Sequence, residues 1–465
     1  MKSLLPIALL LSWALELTGK RETPNIVFFL IDDLGWKDLG CYGSDYYQTP
    51  HIDKLASQGI RFTDAYAACA VCSPTRAAIM TGKYPARLML TEWLPSGRWK
   101  TNAKLRSGRF LRGLPLEETT LAEALRKAGY ATCIAGKWHL GSEPFSTPAH
   151  HGFDVNIGAN EHGNPGSYFF PYKGQWSIPT TKLKARWQVL SGGKSGEYLT
   201  DRLTDEAISF VRQHREKPFF LFFSHYAVHT PFRAKKEMIK KYEAIPKARR
   251  QGKPVYAAMV ESVDESVGRV MATLEDLNLE NETLVIFTSD NGGFAGATDH
   301  SPLRGNKGSY YEGGIRVPLI IRWPGVTKAG KMSKVPVTSS DLYPTCLTAA
   351  GLPLHPAQHR DGLDLSTILK GAESLNRNAL FWHYPHYNSH PSAVPSSVIR
   401  KGEWKLIETF DPKGTELYHL GRDLGETTNL AKTEPSQLAA LRRELAAWRK
   451  TVDAEMMKPN PDHEK

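Results

Sequence analysis

Short, unbroken apolar runs recur along the chain. NIVFFLID (25–32), YATCIAG (130–136), PFFLFFS (218–224), TLVIFTS (283–289) and VPLIIRW (317–323) are of this kind. They are the length of strands, and their lack of alternation fits strands buried on both faces. Between them the period lengthens. TTLAEALRKAG (119–129) sets Leu121, Leu125 and Ala128 on one stripe and ends at Gly129, and VYAAMVESVDESVGRVMATLEDL (255–277) reads as a long amphipathic helix. Strands alternating with helices predict an α/β fold, with a central, mostly parallel mixed sheet between helices. After about residue 375 the pattern changes. SVIRKGEWKLIETF (397–410) and TELYHL (415–420) alternate apolar and polar, as antiparallel strands do. SQLAALRRELAAWRK then spaces Leu438, Leu441, Leu445 and Trp448 helically. This predicts a smaller C-terminal α+β subdomain over 375–465, closing in a frayed tail, KPNPDHEK.

The first twenty residues belong to neither part. Lys2 precedes an apolar run from Leu4 to about Leu15, and the chain then turns polar. That is the pattern of a secretory signal peptide over 1–20, and the run is shorter than the ~20 apolar residues of a spanning helix. The main domain is expected over 21–374, with no later membrane span. The 465 residues include 59 Lys plus Arg against 48 Asp plus Glu, a formal net charge of +11. A basic, exported protein points away from nucleic acid and toward an acidic polysaccharide or small anion. Five cysteines in a chain this long do not make a disulfide scaffold.

Polar groups follow the apolar runs. Asp32 and Asp33 follow the first, Asp290 and Asn291 the TLVIFTS run, Lys137 and His139 the YATCIAG run, and His225 and His229 the PFFLFFS run. Ligands of open parallel sheets bind beyond the carboxyl ends of the strands, so these groups are expected to share one site. Asp32, Asp33, Asp290 and Asn291 offer only oxygen, which suits Ca²⁺, with Mg²⁺ the second choice, better than zinc. Asp33 or Asp290 taken alone reads better as a helix cap; two carboxylate-bearing strand ends in one fold favour metal. Lys137, His139, His229, Lys307 and Arg76 form a cationic set suited to a tetrahedral oxyanion, a phosphate or sulfate ester.

CAVCSPTR (69–76) allows three readings. Nothing thioredoxin-like supports a redox pair, and no further Cys or His at close spacing supports zinc. The third reading is a nucleophile at Cys72. Ser73 as N-cap and Pro74 at the first helical position predict a helix running on to Thr81 and ended by Gly82. Its N-terminus would favour negative charge and activate a thiol. Cys69 then reads as a small buried side chain.

Cys72-Ser-Pro-Thr-Arg76, with AAIMTGKYPAR (77–87) and GKWHLG (136–141), resembles the signatures of the type I sulfatases of the alkaline phosphatase superfamily. The likeness extends through SDNGG, GNKGSYYEGGIRVP and GETTNL and covers almost the whole mature chain. It implies that a formylglycine-generating enzyme oxidises Cys72 to formylglycine. Asp32, Asp33, Asp290, Asn291 and residue 72 would then hold Ca²⁺. It further implies that Arg76 and Lys137 steady the hydrated aldehyde and sulfate, and that His229 and Lys307 bind sulfate and assist the leaving oxygen. One hydroxyl of the hydrate would attack sulfur and expel the alcohol. His139 would then deprotonate the other, re-forming the aldehyde and releasing sulfate.

For the substrate, a basic stretch (86–113) follows the Cys72 helix, with Arg87, Arg98, Lys100, Lys104, Arg106, Arg109 and Arg112 against Glu92. Trp93 and Trp99 within it suit stacking on sugars. A second basic stretch (232–253) reads better as a solvated face. FWHYPHYNSHP (381–391) suggests that His383 and His386 form a sugar subsite, and His300 and Arg304 are further candidates for substrate binding. The expectation is an exported carbohydrate sulfatase, with galactose-type sugars as the first choice. The alternatives are a phosphoester or phosphonate hydrolase using the same site, and a non-catalytic glycan-binding protein with an unmodified Cys72.

Overall fold

A computed structural model describes residues 23–95, 102–177, 184–390 and 392–463. The expected signal peptide, together with Arg98, Trp99 and Lys100, lies outside the described residues. The central sheet has eight strands, in the order Lys331–Ser333, Ile60–Phe62, Leu319–Arg322, Thr283–Ser289, Asn25–Ile31, Phe219–Ser224, Ala131–Gly136, Val155–Ile157. Each of the five apolar runs is a strand of this sheet. One departs from expectation: Leu319–Arg322, from VPLIIRW, runs antiparallel to both neighbours. The three short strands were not foreseen, because three residues give too little pattern to read.

Continuous apolar strands follow from the two layers that cover this sheet. Val27, Phe29 and Ile31 point into one, beneath the helices Leu199–Gln213 and Pro254–Asp276. Ile26, Phe28 and Leu30 point into the other, beneath Cys72–Thr81, Leu121–Lys127 and Leu342–Ala349. Successive side chains alternate faces, so a strand buried on both must be apolar throughout. Burying each such Phe, Leu or Ile contributes about 1.5–3 kcal/mol. The helix at 121–127 starts where Thr120 forms a reciprocal cap with Glu123.

The C-terminal sheet is fully antiparallel: Leu380–Tyr384, Ser396–Lys401, Trp404–Phe410 and Lys413–His419 in sequence order. One face packs on the terminal helix Pro435–Thr451 through Leu441, Leu445 and Trp448. The other face packs Trp382, Val398 and Ile407 against Tyr66, Cys69 and Val71, the segment leading into Cys72. Residues 458–463 are not a frayed tail. Lys458–Pro459 pairs with Leu105–Arg106, Asn460 donates to the Ala103 carbonyl at 2.7 Å, and Arg106 meets Asp462 at 2.6 Å. Much of the basic stretch 86–113 is therefore neutralised within the protein, since Arg87 pairs with Asp361 and Arg109 with Glu455.

Buried charge joins the sheet to the main domain. Lys405 lies 2.8 Å from carboxylate oxygens of both Glu312 and Glu426 and is fully buried. Replacing it by methionine leaves two buried carboxylates short of their shared partner. Lys405→Met is expected to lose about 3–5 kcal/mol in denaturant unfolding; a variant as stable as the parent would show that the junction does not depend on this pair.

Candidate active site

Cys72 is the first residue of the helix Cys72–Thr81, which ends at Gly82 in a left-handed conformation (φ 68°). The N-cap is Val71 and not Ser73. The Ser73 hydroxyl accepts instead from the Leu94 amide at 3.1 Å and so fixes the neighbouring segment. Cys69 is buried, its sulfur 3.1 Å from the Tyr310 hydroxyl. All five cysteines are free.

The structure brings the strand-end groups together around Cys72. Its sulfur is 3.3 Å from Lys307 Nζ and 3.5 Å from Asp32 Oδ1. Each carboxylate has its own cation: Lys137 Nζ is 2.7 Å from Asp32, Lys307 Nζ 2.6 Å from Asp33, and Arg76 Nε 2.9 Å from Asp290. Arg76 is held further by the Lys137 carbonyl at 3.0 Å and the Ser224 hydroxyl at 2.6 Å. Ser224 ends the PFFLFFS strand, and no local pattern signals this part. Two tight places set the frame. A side chain at Gly136 (φ 98°) would collide with the Ser224 carbonyl, and one at Gly292 with the Gly313 carbonyl. Asp33 (φ 65°) and His139 (φ 62°) are left-handed without being glycine, a cost that functional sites tolerate.

Burial dominates the electrostatics. It pushes the Asp32 carboxyl up to about 7, although Lys137 works against it. It would raise Asp33 and Asp290 as well, but Lys307, His229 and Lys137 overcome it at Asp33, and Arg76 and Lys137 at Asp290, so both stay below the usual carboxylate range. The expectation of an activated thiol is corrected here. Burial carries the Cys72 thiol up to about 12 despite Lys137, Lys307 and its place at the helix N-terminus. At neutral pH it is protonated and a poor nucleophile.

Ca²⁺ or Mg²⁺ fits these residues, although the three cations already relieve repulsion between the carboxylates. Asp33 Oδ2 and Asn291 Oδ1 are buried with no hydrogen-bond partner. Ligand atoms of Asp32, Asp33, Cys72 and His229 lie within 4.8 Å of one another. Unpartnered oxygen donors beside carboxylates suit a hard cation. A thiol sulfur does not, whereas an oxygen at residue 72 would.

The histidines divide. His139 Nε2 meets the Leu94 carbonyl, which can only accept, so this nitrogen carries the proton and the unpartnered Nδ1 is the free acceptor. Burial first, then Lys137 and Arg76, hold its pKa well down. His229 gives its Nδ1 proton to the Thr230 carbonyl at 2.7 Å and faces Asp33 Oδ2 with Nε2 at 3.7 Å. Burial lowers it to about 3. His225 is outside the site, stacked on Phe223 and 3.4 Å from Ser266 Oγ.

Of the expected substrate contacts, Trp93 lies beside the site, adjacent to Leu94 and with its ring 6.4 Å from Trp176. His300 stands against Gly293, two residues from Asn291. The others are placed otherwise. Both ring nitrogens of His383 are engaged, with Ser397 Oγ at 2.7 Å and the Glu455 carbonyl at 2.9 Å. Buried His386 bonds Thr91 Oγ1 at 2.7 Å. Arg304 reaches the Tyr418 hydroxyl and Glu426 carbonyl, each at 2.9 Å, and covers the Tyr311 ring. These three tie the C-terminal sheet to its surroundings, which is why composition misread them.

Fold and site together define a hydrolase-type α/β enzyme with a cationic seat for a tetrahedral oxyanion. Residues 24–352 match the family model described as Sulfatase, and residues 306–451 one described as N-sulphoglucosamine sulphohydrolase, C-terminal. The chain is 33% identical to a sulfatase of Formosa agariphila over 92% of this chain and 89% of that one. It is 35% identical to the N-acetylgalactosamine-6-sulfatase of Homo sapiens over 92% and 85%. The crystal structure of Ps i-CgsB in complex with k-i-k-neocarrahexaose aligns with a TM-score of 0.76 at 31% identity, covering 92% of this chain and 93% of that one. The chain belongs to the sulfatase family of the alkaline phosphatase superfamily and is a sulfuric ester hydrolase.

One acid next to the site gives a pH test. Buried Glu92 accepts from the Tyr384 hydroxyl at 2.7 Å and the Trp93 amide at 2.9 Å, and burial raises its pKa from 4.5 to about 8. The folded protein keeps a proton that the unfolded chain releases near pH 4.5. Its stabilising share is thus complete below about 4.5 and lost as pH rises through about 8. Glu92→Gln keeps both accepted bonds without titrating. Denaturant melts at about pH 5, 7 and 9 should give this variant a flatter profile and the greater stability at the alkaline end. Parallel profiles would place the titration elsewhere.

Proposed function

We propose that this protein is an exported carbohydrate sulfatase whose Cys72 is converted to formylglycine by a formylglycine-generating enzyme and whose oxygen ligands hold Ca²⁺. The observation that carries the reading is the state of residue 72. It lies within 3.5 Å of both a lysine and an aspartate of the site, yet as a thiol it is held protonated. The position suits a nucleophile, and the sulfur does not. The named activities of the relatives, on N-acetylgalactosamine 6-sulfate, and the carrageenan-type ligand bound to the structural neighbour support a sugar substrate. Export rests on the N-terminal pattern. Among the described residues no helix is long and apolar enough to cross a membrane.

Charge balance supports a sulfate ester. Asp32, Asp33 and Asp290 are matched by Lys137, Lys307 and Arg76. A bound divalent cation would tip this balance positive and favour an anion beside it. Residue 72 as a hydrated aldehyde would supply the nucleophilic oxygen, and the cation would polarise the sulfuryl group. Lys137, Lys307 and Arg76 would neutralise the oxygens on which charge builds. Lys307, kept charged by Asp33, carries a proton on Nζ for the departing alcohol. The empty Nδ1 of His139 takes a proton when sulfate is released, and neutral His229 orients through Nε2.

Mass spectrometry of the peptide spanning Cys72, from a host with the modifying enzyme, should show the aldehyde or its hydrate. Cys72→Ala should reduce sulfatase turnover about a thousandfold or more. Free thiol in a fully active enzyme would overturn the reading. Chelation followed by dialysis should abolish turnover of sulfate esters, and Ca²⁺ should restore it; full activity of metal-stripped protein would remove the cation. Phosphate monoesters hydrolysed faster than sulfate esters would favour the phosphoester alternative.

A further inference from the structure

FWHYPHYNSHP holds three histidines, and the fold treats the third unlike the others. His383 and His386 are buried and bonded to protein. His390 is only partly buried, and neither ring nitrogen has a hydrogen-bond partner within the described protein. Its position is nevertheless fixed. Its amide donates to Asn388 Oδ1 at 3.0 Å, and Asn388 Nδ2 donates to the Tyr384 hydroxyl at 2.6 Å. Two residues on, Ser392 bonds Asn306 at 3.2 Å.

The loops that hold His390 are those of the active site. Its Cβ lies against Gly308, which follows Lys307, and no side chain at 308 would fit beside it. Its ring stands edge-on to Phe294 at 6.0 Å, three residues beyond Asn291. Phe294 packs at 5.9 Å on Phe232, three residues beyond His229. His390 also lies in the fields of Lys307 and Asp33; burial and then Lys307 lower its pKa to about 4. The ring is therefore neutral at physiological pH, with one N–H donor and one bare acceptor.

A polar ring that gives up part of its hydration without a protein partner gains from a ligand that supplies one. A sulfate oxygen can only accept, whereas a sugar hydroxyl both donates and accepts, as a neutral imidazole does. Half-buried Phe294 beside it adds apolar surface against which a sugar can pack.

We propose that His390 is a specificity-determining residue, contributed by the C-terminal subdomain, that hydrogen-bonds a hydroxyl of the sugar carrying the scissile sulfate. This rests on the carbohydrate reading above. The test compares His390→Ala with the parent enzyme on 4-nitrophenyl sulfate, which has no sugar hydroxyl, and on 6-sulfated galactose, N-acetylgalactosamine and glucosamine. The variant should lose roughly three- to tenfold in kcat/KM on the preferred sugar, mainly through KM, with turnover of the aryl ester unchanged. His390→Gln, which keeps one donor and one acceptor, should recover most of the loss. Equal losses on both substrate classes, or no loss on the sugar, would overturn the assignment of His390 alone. A parent enzyme active on the aryl ester and inert on every sulfated sugar would overturn the carbohydrate reading with it.

Discussion

Three buried ion pairs at the carboxyl ends of the central strands are the constraint around which the rest is arranged. Asp32 with Lys137, Asp33 with Lys307 and Asp290 with Arg76 bring acid and base together away from water. Such pairs recover their desolvation cost only with close geometry. Asp32, Asp33, Asp290 and Lys137 all follow strand ends, whereas Arg76 comes from the helix Cys72–Thr81 and Lys307 from a loop. Arg76 is tied to the Lys137 carbonyl and Ser224, and Asn291 donates to Asp33 at 2.8 Å. The glycines at 136 and 292 let neighbouring backbones approach closely enough for this to close.

The same burial decides what residue 72 can do. A helix N-terminus and two nearby lysines act to lower a thiol pKa, but desolvation and the adjacent carboxylates outweigh them. A site that suppresses its own thiolate is poorly suited to cysteine chemistry. The C-terminal sheet contributes to this environment. Its inner face covers the segment leading into Cys72, and its first loop brings His390 to Lys307 and Phe294. The buried Lys405, between Glu312 and Glu426, fastens that sheet in place.

Much of this was legible in one dimension. The five apolar runs identified strands because covering both faces of a sheet leaves no room for alternation. The groups after them identified the site because parallel strands end on the same side. Asp32, Asp33, Lys137 and Asp290 could be named that way, and Cys72 and Arg76 through the helix that CAVCSPTR begins. The antiparallel course of Leu319–Arg322 could not, since an apolar run has no direction. Nor could the parts of His383, His386 and Arg304, because aromatic and basic composition is the same for a residue that faces a ligand and one that clamps a junction.

Period, caps and short-range order were enough for the α/β class, the strands, the Cys72 helix and the residue types available for oxyanion chemistry. Tertiary structure alone decided which charges pair and which thiol is silenced. It also turned two histidines inward and left a third beside the site. Those outcomes depend on desolvation and on contacts between residues far apart in the chain, 258 positions for Asn291 with Asp33 and 295 for His386 with Thr91. No local pattern records such distances.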